Sequence, residues 1–270
     1  MNLTPVTTLD LPELQVYRTL RGNLFDRDNS FVADSPRVVL MLLKRGIVPK
    51  SILATSQFYE QNREVIERYA GGATLYVAER EVLGQIVGRN VHHHVMMHAH
   101  RPESVPLEDL GDRIVMLERL NNMENVGAIA RSAAALGLEG YALPRSGPHP
   151  YGRRAVRVST GHVSRLAVHL YDDPVATIRA LRSRGYRIYG AEVTPESIPL
   201  SSVRDVPKKW VIVLGNEEEG LSPGVAAACD ALVQIEMDPQ VKSFNVSVAG
   251  AIIMHWLAVA PVRGQGGYSL

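Results

Sequence analysis

A short apolar run, Ile114 to Leu117, leads into Asn122-Met-Glu-Asn-Val-Gly-Ala-Ile-Ala-Arg131-Ser-Ala and an Ala-rich stretch. A strand that feeds a helix through a polar, glycine-bearing turn commits this part of the chain to α/β packing. Asn125 stands where an N-cap belongs, and Gly127 lets other backbone come close. Arg131 follows about 9 Å further along the helix axis, at ~1.5 Å per residue. Helical side chains lean toward the N-terminus, so a long arginine is expected to reach back over the strand–helix junction. A polar cap and a guanidinium directed at one spot suit a phosphate or a sugar. An ordinary capped helix with a solvated arginine has the same letters, so this segment needs company before it means anything.

The company comes downstream. In Val213-Leu214-Gly215-Asn216-Glu217-Glu-Glu-Gly220-Leu-Ser222 an apolar strand runs into a short acidic loop closed by glycine. Glycine lets a ligand touch backbone, and Glu217, nearest the strand end, is the carboxylate best placed to face a pocket. The loop lacks Gly-Lys-Ser and carries the wrong charge for nucleotide phosphates, which favours a neutral or cationic ligand. In Ile235-Glu-Met237-Asp-Pro-Gln-Val-Lys-Ser243-Phe244-Asn245-Val-Ser247 a strand again ends in a polar loop. Capping explains one of Ser243 and Asn245, but not Ser247 inside an otherwise apolar helix. In a parallel sheet such turns converge on the edge where open α/β folds bind ligands.

Around these segments the chain alternates strands and helices, which predicts βαβ units and a mostly parallel sheet in each half. The first half gives strands over 31–33, 51–55, 74–78 and 91–99, with helices over 36–45, 57–70 and 79–87. The second gives strands over 113–118, 141–143, 186–191, 210–214 and 231–235, with helices over 126–136, 174–184, 223–229 and 245–259. The stretch 101–111, with Pro102 and Pro106, breaks the rhythm. The expected division is a first domain over 1–104, a linker over 105–111, a second domain over 112–263 and a loose tail over 264–270. The last helix is apolar on most faces and must be buried, naturally at a subunit interface.

Charge narrows the partners. The 270 residues carry a formal net charge of only +1, so polyanion binding needs a local patch. One exists: Arg145, Arg153, Arg154, Arg157 and Arg165 lie in a stretch without a single acidic residue, interleaved with His149, Tyr151 and His162. Arginine forks match phosphates, and Tyr or His stacks on bases. The histidines at 92, 93, 94, 98 and 100 lack the spacing and partners of a zinc site, so no metal is expected. The single cysteine, Cys229, excludes an internal disulfide framework and fits a reducing compartment. The N-terminus has no signal-peptide pattern and no run approaches a membrane span, so a soluble cytoplasmic protein is expected. A dinucleotide-dependent oxidoreductase would need a Gly-x-Gly-x-x-Gly turn, and none occurs.

The three segments, in this order and spacing, resemble motifs 1, 2 and 3 of the SpoU (TrmH) branch of the SPOUT RNA methyltransferases. The resemblance covers roughly residues 113 to 257. More weakly, residues 12 to 100 resemble the RNA substrate-binding domain that precedes it in ribosomal-RNA members. It implies an α/β catalytic domain with a deep trefoil knot, preceded by a small L30e-like α/β domain. It implies S-adenosylmethionine held by Leu214, Gly215, Asn216, Gly220, Ile235, Met237, Phe244 and Asn245. It implies a homodimer, each site completed by the partner, that methylates a ribose 2′-hydroxyl of RNA, ribosomal rather than transfer RNA. Arg131 would activate the hydroxyl. Asn125 would orient the RNA or Arg131, and Glu217, Ser243 and Asn245 would organise the site. Arg145, Arg153, Arg154, Arg157 and Arg165 would bind RNA phosphates. Three departures affect the adenosine pocket: Phe244 replaces the usual Leu, Asn216 stands where Ala is common, and 238–242 lacks the usual Gly. A catalytically silent RNA-binding protein on the same fold is the alternative of a different class.

Overall fold

The computed structural model describes residues 1–6, 11–18, 28–87, 94–238 and 240–259. The chain forms two units, Met1–Pro102 with Tyr151–Ser164, and Glu103–Pro150 with Arg165–Leu270.

In the first unit the strands are β1 (Leu3–Pro5), β2 (Ser30–Asp34), β3 (Pro49–Ala54), β4 (Thr74–Val77) and β5 (Val95–His100). They form one sheet in the order β1-β4-β3-β5-β2. β5 pairs antiparallel with both β2 and β3, while β1, β4 and β3 run parallel. The expectation of a mostly parallel sheet therefore holds with one strand reversed. The helices are α1 (Gln15–Arg18), α2 (Pro36–Lys44), α3 (Ser56–Gln61), α4 (Arg63–Tyr69) and α5 (Arg80–Val87). Pro36 opens α2 and Gly46, at φ +81°, follows its end, the usual placement of each residue. The helix expected over 57–70 is two helices. Asn62 turns its Nδ2 back onto the Phe58 carbonyl at 2.8 Å and adopts φ −122°, a side-chain competition that polar residues offer mid-helix. Residues 91–93, with His92 and His93, lie outside the described residues.

The segment Tyr151–Ser164 belongs to this unit. It carries α7 (Arg153–Val158), a helix that the periodicity of the sequence does not announce. Arg153 forms an ion pair with Asp34. Tyr151, 2% exposed, sets its ring edge-on to Phe31 at 5.3 Å. Burial pushes its hydroxyl above the usual phenol range, against the opposing charge of Arg45. Tyr151 is thus a core residue and is not available to stack on a base.

The second unit is built on seven strands in the order β10-β12-β9-β11-β6-β7-β8, every pairing parallel. These are β6 (Arg113–Leu117), β7 (Gly140–Pro144), β8 (Ala167–Tyr171), β9 (Arg187–Ala191), β10 (Ile198–Pro199), β11 (Trp210–Leu214) and β12 (Ala231–Gln234). Central β11, Trp-Val-Ile-Val-Leu, is buried at every position, the continuous apolar run that a strand covered on both faces requires. Helices α6 (Met123–Ala135), α8 (Pro174–Ser183), α9 (Pro223–Ala228) and α10 (Val246–Val259) cover the sheet. Asp173 caps α8, accepting from Ala176 N at 3.0 Å. Strand β8 was not expected; its sequence lies beside the basic stretch and alternates weakly. The expected linker packs on this unit: Val105 N donates to Val168 O at 2.9 Å and Leu110 is fully buried in the core. The tail over 264–270 lies outside the described residues.

Candidate functional site

Register places four strand ends in one row. Leu117 of β6 stands opposite Leu214 of β11, Leu214 opposite Ala191 of β9, and Ala191 opposite Val233 of β12. The loops that follow all leave the carboxyl edge of a parallel sheet, where ligands bind in this fold class. The ends of β9, β11 and β12 and their loops line a cavity of about 350 Å³, within the ~300–1,000 Å³ typical of ligand pockets.

A hydrogen-bonded chain joins the three sequence segments beside it. Asn125 Nδ2 donates to Glu217 Oε1 at 2.5 Å, and Asn245 Nδ2 donates to Asn125 Oδ1 at 3.2 Å. Asn125 is buried within α6 and is not its cap. Asn122 is, accepting from Glu124 N at 2.7 Å, so the helix starts three residues earlier than expected. That leaves the Asn125 amide free to tie the turns together. Asn245 Oδ1 accepts from Ser247 N at 2.9 Å and from Ser247 Oγ at 2.6 Å, which explains the polar Ser247 at the start of α10.

The acidic loop has a fixed shape. Asn216 N and Gly220 N each donate to the other's carbonyl, and Asn216 Oδ1 accepts from Glu218 N and Glu219 N. Gly220 has φ +68°, and a Cβ there would lie 2.3 Å from Glu192 Oε2. A Cβ on Gly215 would lie 2.4 Å from the Gly220 backbone. Both positions therefore demand glycine.

Leu214, Gly215, Asn216, Glu217, Gly220, Ile235, Met237, Ser243 and Phe244 all line the cavity. The wall also carries Glu192, Glu218, Glu219 and Lys242, which sequence reasoning missed. Glu192 accepts from Leu221 N at 2.6 Å and Val193 N at 3.2 Å. Glu118, 2% exposed, was missed too. It accepts from Ser222 Oγ at 2.5 Å and Ser222 N at 3.0 Å, binding the end of β6 to the start of α9. The signal was present: a glutamate directly follows the apolar strand at 118 and 192, and another stands at 236. Hydrogen bonds from Ser201 hold Glu236 below the usual carboxylate range. Tyr171 donates to Leu117 O at 2.5 Å; burial first, then the Glu118 charge, raises its hydroxyl above the phenol range. Burial pushes the Cys229 thiol up to about 12, so it is inert at neutral pH.

The single chain places two sets of predicted residues away from the cavity or in other contacts. Arg131 is exposed and does not line the cavity. Six residues separate it from Asn125, which at ~100° per residue turns it about 120° away around α6. The basic stretch is also less available than its letters suggest. Arg145 pairs with Asp172 at 3.1 Å and donates to Leu170 O at 3.0 Å, and Arg153 is taken by Asp34. Arg154, Arg157 and Arg165 are exposed. Among the described residues no group of three His, Cys, Asp or Glu is arranged to hold a metal ion, and no helix is long and apolar enough to cross a membrane.

The cavity combines an acidic rim with apolar walls from Leu214, Val233, Ile235, Phe244 and Ile253. That set suits a ligand with a positive centre and a flat, weakly polar ring. Residues 112–255 match the SpoU rRNA Methylase family. The chain is 28% identical over 270 residues to an uncharacterised tRNA/rRNA methyltransferase of Mycobacterium tuberculosis, covering 94% of this chain and 91% of that one. Its structure is similar to an AdoMet-bound rRNA methyltransferase from Sinorhizobium meliloti at TM-score 0.83 and 25% identity, covering 98% of this chain and 99% of the other. It shares its fold with the SpoU methyltransferase AviRb from Streptomyces viridochromogenes, solved with AdoMet, at TM-score 0.80 and 21% identity over 95% of this chain and 100% of that one.

Proposed function

The chain belongs to the SpoU rRNA Methylase family, and from that premise we propose that it is an S-adenosylmethionine-dependent methyltransferase acting on a ribose 2′-hydroxyl of ribosomal RNA. The observation that carries the reading is the Glu217–Asn125–Asn245 chain, which joins all three motifs at the rim of one cavity. S-adenosylmethionine, when bound, supplies a methyl group made electrophilic by the sulfonium. Leu214, Gly215, Asn216, Gly220, Ile235, Met237 and Phe244 would hold it, with backbone of the strand ends offering hydrogen bonds to the adenine. The acidic wall favours the cationic sulfur. Glu217 and Ser243 line the cavity, and Asn125, itself held by Asn245, fixes Glu217 there.

The residues of this chain would hold the ribose hydroxyl facing that methyl group, and the hydroxyl proton would pass to a nearby phosphate or water. A guanidinium stays protonated, so Arg131 acts as a donor that orients and polarises the hydroxyl. It lies outside its own chain's cavity, so it is delivered from a second copy of the chain. Supporting this, Phe244, Val248 and Ile252 leave an apolar strip exposed along the start of α10, and α6, which carries Arg131, packs on α10.

The test is transfer of labelled methyl to ribosomal RNA, with the modified ribose mapped by primer extension at low nucleotide concentration. Arg131→Ala is expected to lower kcat about 100-fold or more while cofactor affinity, read by calorimetry, stays within twofold. Transfer to a base, no transfer at all, or an unaffected Arg131→Ala overturns the reading. The relative's name joins tRNA to rRNA; methyl found only on transfer RNA moves the substrate and keeps the chemistry.

A further inference from the structure

Two segments far apart in sequence meet in the first unit, and both are purely basic. Residues 35–50 hold Arg37, Lys44, Arg45 and Lys50 with no Asp or Glu, and residues 151–164 hold Arg153, Arg154 and Arg157 with none either. The ion pair of Arg153 with Asp34 brings the start of α7 to the start of α2. At the other end, a Cβ on Gly161 would lie 3.3 Å from Met41 Cγ and 3.6 Å from Val38 O, so the turn after α7 lies against the middle of α2. Asp34 is engaged by Arg153, and Asp28 by Lys50 at 2.8 Å. Arg37, Lys44, Arg45, Arg154 and Arg157 are exposed. Among the described residues no ion pair neutralises Arg37, Lys44, Arg45 or Arg157.

We propose that α2 and α7 together form a phosphate-binding surface of the first unit, with Arg37, Lys44 and Arg45 joining Arg154 and Arg157 to grip the backbone of the RNA substrate. This rests on the reading that the chain acts on RNA. It also redraws the footprint expected from the sequence: Arg145, Arg153 and Arg165 are not part of this surface, and Arg37 and Lys44 of α2, with Arg45 at its end, enter it. Such a surface positions a polyanion without reading its bases. Its place on a chain of nearly zero net charge makes the field local, and neutralising each phosphate releases counterions.

The experiment uses the full chain and ribosomal RNA, titrated by filter binding at several salt concentrations. The triple variant Arg37→Ala/Lys44→Ala/Arg45→Ala is expected to weaken binding at least tenfold at moderate salt. The slope of log K against log salt is expected to fall by roughly two to three, at ~0.7–0.9 per lost phosphate contact. KM for RNA rises with kcat within twofold, and Arg37→Lys/Arg45→Lys with Lys44 intact keeps the parental slope. Calorimetric affinity for S-adenosylmethionine and the thermal midpoint of the triple variant stay at parental values. An unchanged slope in a folded triple variant overturns the proposal. So does a weakened affinity with an unchanged slope, which would mean lost shape instead of lost charge. A parent that binds RNA with this slope but transfers no methyl overturns the reaction and leaves the surface standing.

Discussion

A single amide holds the site together. Asn125 donates to Glu217 and accepts from Asn245, so one side chain couples three loops that are distant in sequence. Asn125→Ala is expected to cost about 1 kcal/mol in urea unfolding, the usual net worth of a hydrogen bond, and to weaken cofactor binding. The Asn125→Ala/Asn245→Ala pair is expected to cost less than the sum of its singles, as partners in one network do; strict additivity would mean that the chain of amides is incidental. The residue types at these positions were legible from the sequence, because polar groups after apolar strands have few reasons to be there. Their partners were not. Asn125 reads as a cap because a cap is the commonest use of asparagine before a helix, and nothing local reveals that Asn122 takes that place. Arg131 reads as reaching the pocket because axial distance is legible while the angle around the helix decides the outcome.

At the scale of elements, the alternation of strands and helices was legible nearly everywhere that the period was strong. Strand 210–214 coincides with β11 residue for residue. The failures have physical causes. The split at Asn62 depends on one side-chain amide finding a carbonyl. The short helix α7 lies in a stretch whose charge, not its periodicity, draws the eye, and it owes its place to Asp34 more than a hundred residues earlier. That tie makes a prediction. Asp34 is 5% exposed, and losing its counter-ion leaves a buried, uncompensated carboxylate. Arg153→Ala is expected to lower stability by about 3–5 kcal/mol, and Asp34→Asn/Arg153→Met to recover most of it. Chemical denaturation measures both. A loss for Arg153→Ala no larger than for exposed Arg157→Ala would show that the pair carries little.

At the scale of the whole molecule, the proposed reaction needs two copies. If each cavity takes its arginine from the other chain, Arg131→Ala mixed one to one with a cofactor-binding variant such as Gly220→Leu restores activity. Half of the dimers are then mixed and each holds one complete site, so about a quarter of parental activity returns. No recovery on mixing, with mixed dimers shown to form, would place arginine and cavity in the same chain. A trefoil knot is an expectation of the family resemblance and not of the periodicity, because strand order alone does not say which loop is threaded. One feature of the chain path has a practical outcome for anyone who would re-target such an enzyme. The backbone departs from the second unit after Pro150, contributes Tyr151–Ser164 to the first, and returns at Arg165. The two units therefore do not part at a single peptide bond: a contiguous fragment ending near residue 102 would lack a wall of the first unit, and a chimera that exchanges that unit must graft two separate stretches of gene at once.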